Sequence, residues 1–97
     1  MIRLAAPDIQ NSDIQRVIEV LESGDLIQGK NVALFEALIS SFTKIEHCAV
    51  VSSCTAALHL SLKALGIKPG DTVIVPAFTF TATANVVENL GGRGALM

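Results

Sequence analysis

Apolar positions along the chain fall into two patterns, one helical and one strand-like. Ile14, Val17, Ile18 and Leu21 recur at i, i+3, i+4 and i+7, which predicts an amphipathic helix. Asn11 or Ser12 can cap its start, and Ser23-Gly24 closes it, glycine accepting the left-handed conformation that follows a last helical turn. A short connection, Leu26 to Lys30, contains Gly29. A second helix is predicted from about Asn31 to Phe42, with Leu34, Phe35, Leu38, Ile39 and Phe42 on one face. Both stripes read as packing surfaces.

The later half changes rhythm. Cys48 to Val51 is short, apolar and β-branched at its end, which predicts a buried strand. Thr55 to Leu65 reads as helix closed by Gly66, and Lys68-Pro69-Gly70-Asp71 as a turn. Thr72 to Val75 is a second predicted strand, stopped by Pro76, and Thr81 to Leu90 a last helix ended by Gly91-Gly92. Two N-terminal helices followed by β-α-β-α is an α/β arrangement with a buried, largely parallel sheet. That rhythm calls for a third strand, yet only Arg93-Gly94-Ala95-Leu96-Met97 remain, so the architecture reads as interrupted.

Composition sharpens this picture. The chain has 97 residues, 51% hydrophobic and only 16% charged, with neither Trp nor Tyr. A free-standing soluble domain carries about 25% charged residues. Residues 1–97 therefore read as a single partial domain, suited to the interior of a larger α/β protein. A net charge of −2 with scattered basic residues gives no electrostatic case for nucleic acid or an acidic membrane surface. No run approaches the roughly 20 apolar residues of a transmembrane helix, and the N-terminus lacks a signal-peptide core. Cys48 and Cys54 are not spaced as a CxxC pair and read as reduced thiols of a cytoplasmic protein. No metal-ligand pattern is present.

Chemistry concentrates where predicted strands hand over to helices, since ligands of open α/β sheets bind beyond the carboxyl ends of strands. The first junction is Ser52-Ser53-Cys54-Thr55. A helix start leaves backbone N–H groups without intrahelical partners and carries partial positive charge, and small side chains let an anion come close. The same residues also suit a plain cap, with Ser53 or Thr55 accepting from the helix. Neither GxGxxG nor a P-loop is present. At the second junction, Phe78 and Phe80 flank Thr79 and, taken alone, read as core residues. His59 reads as packing or surface, and Cys54 as a small residue at a tight turn with no recognisable partner base.

Two stretches, "SGDLIQGKNVALFE" and "VVSSCTAALHLSLKALGIKPGDTVIVPAFTFTATAN", together with the opening "IRLAAPDI", carry a resemblance. From about Ile2 to Gly92 the chain resembles the N-terminal part of the pyridoxal-phosphate-dependent sugar aminotransferases, the DegT/DnrJ/EryC1/StrS family. The resemblance implies an incomplete large domain of aminotransferase fold type I, in which the first two strands are separated by later ones. It implies that Ser53, Cys54, Thr55 and Ala56 bind the phosphate of pyridoxal 5'-phosphate, through the amides and hydroxyl at Thr55 and Ala56. Phe80 would stack on the pyridine ring, and Gly29 would belong to a substrate-proximal loop. The implied complete enzyme is a homodimer moving an amino group from an amino acid, with glutamate as expected donor, to a keto-sugar nucleotide.

None of Lys30, Lys44, Lys63 or Lys68 matches the family's Schiff-base position, so no catalytic residue is assigned. Nor does residue 93–97 resemble the family's next strand, an apolar run ending in an acid. A truncated reading frame or a piece of a longer gene is the expectation. Two alternatives stay open: a dehydratase of the same family, using the same cofactor without a catalytic lysine, and a non-catalytic, partner-binding remnant.

Overall fold

The computed structural model describes residues 5–97; the Ile2-Arg3-Leu4 part of the opening resemblance lies outside them. The element order is α1 (Asn11–Ser23), α2 (Lys30–Thr43), α3 (Cys54–Ala64), β1 (Thr72–Val75), α4 (Ala82–Asn89) and β2 (Arg93–Leu96). The chain divides into two compact units, one through Cys48 and one from Ala49 onward.

In the first unit the helix limits follow local chemistry. Gln10, rather than Asn11 or Ser12, is the N-cap of α1. Its N–H donates to the Asp13 carboxylate at 2.8 Å, and this third-residue acid, reaching back, sets the boundary one residue early. Gly24 closes α1 at φ 75°, in the left-handed region. Lys44 takes the same conformation after α2, at φ 61°, while the Ser40 hydroxyl donates to the Ile45 carbonyl at 2.6 Å. Neither helix holds a buried residue. The stripes Ile14-Val17-Ile18-Leu21 and Leu34-Phe35-Leu38-Phe42 are exposed and only Ile39 is half-buried, so the packing role expected of them is not filled within the described residues.

The second unit is built on a β-α-β core. β1 and β2 pair in parallel, Thr72 opposite Arg93 through Val75 opposite Leu96. α4 lies against both strands and α3 packs on α4. Val75, Ala82, Val86 and Val87 form the small core, with Val86 at 2% and Val87 at 1% exposure. The turn before β1 has the form expected: Gly70 sits at φ 96°, Asp71 N–H donates to the Lys68 carbonyl, and Lys68 N–H to the Asp71 carboxylate at 3.0 Å.

Two expectations are corrected here. Residues 93–96 form a strand although they lack a β-branched run. Parallel pairing needs backbone groups more than side chains, and this segment is tied at both ends. Arg93 N–H donates to the Asp71 carbonyl at 2.8 Å and Met97 N–H to the Val75 carbonyl at 3.0 Å. Conversely, 48–51 is not a strand: the sheet contains β1 and β2 only, and a β-branched sequence becomes strand only where a neighbouring strand lies alongside. Gly91 and Gly92 join α4 to β2 where space is tight, Gly91 against the turn before β1 and Gly92 against α4. A Cβ on Gly91, at φ 80°, would stand 2.8 Å from Pro69 Cγ, and one on Gly92 3.1 Å from Val87 Cγ1.

Candidate functional site

Ser53 ends the extended segment at φ −161°, ψ 160°, and begins α3 as its N-cap. Its hydroxyl accepts the Ala56 N–H at 3.1 Å, and its carbonyl accepts the Ala57 N–H at 3.0 Å. The capping role weighed from sequence is therefore present. It consumes one first-turn donor and leaves others: among the described residues, the Cys54 and Thr55 amides have no protein acceptor. Ser52 through Thr55 are exposed and Ala56 is half-buried. The junction thus presents two open N–H groups, the Thr55 hydroxyl and the positive end of an 11-residue helix. Such a set can hold an anion of phosphate size.

The second junction departs from the core role expected of its aromatics. After Pro76 the chain leaves the sheet in a bend, so strand packing no longer governs where side chains lie. Phe78 is 103% and Phe80 78% exposed, and both are corrected from core to surface. Phe80 lies directly before Thr81, the N-cap of α4, and α4 packs on α3. One unit therefore carries both helix starts, the open amides on one and a bare aromatic face beside the other.

Gly29 belongs to the first unit, as the N-cap of α2. Its φ of −165° is extended backbone, and a Cβ there would meet nothing nearer than the Ile27 carbonyl at 3.9 Å. Any residue fits. Gly29, Val20 and Lys30 line a cavity of about 240 Å³ within that unit. His59 is half-buried along α3. Among the described residues there is no cluster of three or more His, Cys, Asp or Glu side chains able to hold a metal, and no helix long and apolar enough to cross a membrane.

A sequence profile of the DegT/DnrJ/EryC1/StrS aminotransferase family matches residues 7–96. The chain belongs to this family. Among curated relatives, the spore coat polysaccharide biosynthesis protein SpsC of Bacillus subtilis is 48% identical over 85 residues, covering 88% of this chain and 22% of that protein. The UDP-4-amino-4-deoxy-L-arabinose–oxoglutarate aminotransferase of Shewanella sediminis is 41% identical over 90 residues, 93% of this chain and 23% of its own length. Among solved structures, Spr1654 of Streptococcus pneumoniae, assigned as a sugar aminotransferase, superposes with a TM-score of 0.89 at 35% identity, over 99% of this chain and 24% of that one. It was solved in apo, PLP and PMP forms. The aminotransferase TlmJ of Streptoalloteichus hindustanus gives a TM-score of 0.84 at 31% identity, over 99% of this chain and 27% of its own. This member of the DegT/DnrJ/EryC1/StrS family thus spans about a quarter of the length of the relatives it matches.

The resemblance implies phosphate donors at the Thr55 and Ala56 amides; in the structure the Ala56 amide is engaged by the Ser53 hydroxyl, and the first-turn amides without a protein acceptor among the described residues are those of Cys54 and Thr55. The signal was available: a Ser two residues before Thr55 is placed to accept from the third amide of the turn.

Proposed function

We propose that this chain forms the phosphate- and ring-holding part of a pyridoxal-phosphate-dependent sugar aminotransferase, one that moves an amino group from glutamate to a keto-sugar nucleotide. The observation that carries this is the pair of open amides at Cys54 and Thr55, at the start of α3 in a member of this family. The donor set fits the group. A phosphate dianion needs several N–H or O–H donors and local positive potential, and the first turn of α3 has both. The Cys54 and Thr55 amides would hold its oxygens, with the Thr55 hydroxyl as a third donor. Ser53 orients that turn through its bond to Ala56, and its hydroxyl proton is free to point outward. Phe80 would cover one ring face, excluding water there and leaving the opposite face to substrate.

When bound, the cofactor supplies the carbonyl that accepts an amino group and a ring that withdraws electrons from the reacting carbon. Glutamate as donor and a nucleotide-linked sugar as acceptor are supported by the relative named as an arabinose–oxoglutarate aminotransferase. A homodimeric, cytoplasmic assembly belongs to the same reading, supported by the family resemblance and by the exposed apolar faces of α1 and α2.

Titration of the ¹⁵N-labelled chain with inorganic phosphate, and separately with pyridoxamine phosphate, tests this. The second probe has no aldehyde to react with surface lysines. Saturable shifts at the Cys54 and Thr55 amides are expected with both ligands, and Phe80 ring shifts with pyridoxamine phosphate alone. Saturable shifts centred elsewhere, or none, overturn the reading.

A companion prediction concerns lysine. Lys30, Lys44, Lys63 and Lys68 are all exposed, and Lys63 lies in the last turn of α3. At 1.5 Å per residue that is roughly 13 Å along the axis from the first turn. Pyridoxal phosphate followed by borohydride should give scattered, substoichiometric labelling by mass spectrometry. Full labelling of a single lysine would contradict this.

A further inference from the structure

Phe80 stands on a four-residue connection between Pro76 and Thr81, and both ends of that connection are tied. At the strand end, Ala77 N–H donates to the Met97 carbonyl at 2.9 Å, continuing the β1–β2 pairing past Pro76. At the helix end, Thr83 grips the connection twice. Its N–H donates to the Phe80 carbonyl at 3.0 Å, and its hydroxyl is 3.0 Å from that of Thr79. One side chain thus holds the residue before Phe80 while its own backbone holds Phe80 itself.

The backbone bond belongs to any helix start, but the hydroxyl pair does not. No turn geometry demands it, Thr79 is exposed, and water is available to both groups. What it does is close a small loop around an aromatic ring that has no packing of its own: Phe80 is 78% exposed. A ring in that state samples several rotamers unless its backbone is restrained, and a planar ligand then binds only the fraction in the correct one.

We propose that Thr79 and Thr83 are positioning residues whose hydroxyl pair presets Phe80 for stacking on a flat heteroaromatic ring. This rests on the cofactor reading above for the identity of the ring, but not for the restraint itself. Thr79 and Thr83 touch no reacting atom; they act through Phe80.

Two measurements on the 97-residue chain separate the proposal from the reading beneath it. The first needs no ligand. In Thr79→Val and Thr83→Val, backbone heteronuclear NOE values at residues 77–81 should fall and the Phe80 χ1 couplings should average. Thr79→Ser should restore both, because the serine hydroxyl remakes the bond. Unchanged loop order in both valine variants, or no restoration by serine, overturns the proposal whatever the chain binds. The second compares pyridoxamine phosphate with inorganic phosphate. Each valine variant should weaken the former by about two- to tenfold, the range of one hydrogen bond, and leave the latter unchanged. The double variant should lose no more than either single one, since both break the same bond. Equal weakening of both ligands would mean general unfolding and count against the proposal. If loop order responds as described but the wild type binds neither probe, the cofactor reading fails while the clamp stands.

Discussion

Cys54→Pro should leave α3 intact and abolish most of the chain's affinity for phosphate. The first helical position tolerates proline, whose missing N–H has no intrahelical partner there. In this chain the Cys54 amide also has no other acceptor among the described residues. Proline further requires an extended residue before it, and Ser53 already lies at φ −161°, ψ 160°. Bonds from an N–H to an ionic acceptor contribute about 1.5–3 kcal/mol, so the dissociation constant for phosphate should rise roughly ten- to hundredfold. Circular dichroism should show unchanged helix content, and Cys54→Ala should bind as the wild type does, because the donor is main chain. Undiminished binding by Cys54→Pro would remove the Cys54 amide from the site; loss in Cys54→Ala would shift attention to the thiol.

The second large effect is on stability. Val87→Asp should unfold the β-α-β unit. Val87 is 1% exposed on α4, and Gly92 lies against it, with Gly92 N–H donating to the Val87 carbonyl at 3.0 Å. A carboxylate there meets no donor side chain, because no polar side chain is buried among the described residues. Burying an unpaired charge costs several kcal/mol even after relaxation. Four buried residues, Val75, Ala82, Val86 and Val87, cannot offset that. Hydrogen exchange should show lost protection at the amides of Val73–Val75 and Gly94–Leu96, while Glu88→Gln, one position along and exposed, should match the wild type. Retained protection in Val87→Asp would mean the core lies elsewhere.

These two substitutions probe features of different legibility. The junction at Ser53–Thr55 is legible in the sequence because a helix start is a local event. Small polar residues, an apolar approach and a helical periodicity from Thr55 onward were enough to place open amides there. Which amides stay open was not visible until Ser53's hydroxyl was seen to take Ala56. The exposure of Phe78 and Phe80 was hidden for a related reason. Phenylalanine after a buried strand ordinarily continues the core, and only the bend at Pro76, with its ties to Met97 and Thr83, turns these rings outward.

The sequence by itself determined the helices, the glycines that follow α1, α3 and α4, and the turn at Lys68–Asp71, because helices and tight turns are built mainly from bonds between residues close in the chain. Tertiary structure alone decided which β-branched or glycine-containing segment became a strand: 93–96 did, because β1 lies beside it, and 48–51 did not. A helix satisfies its own backbone groups, whereas a strand must borrow a partner from distant chain, and composition cannot say whether that partner is there.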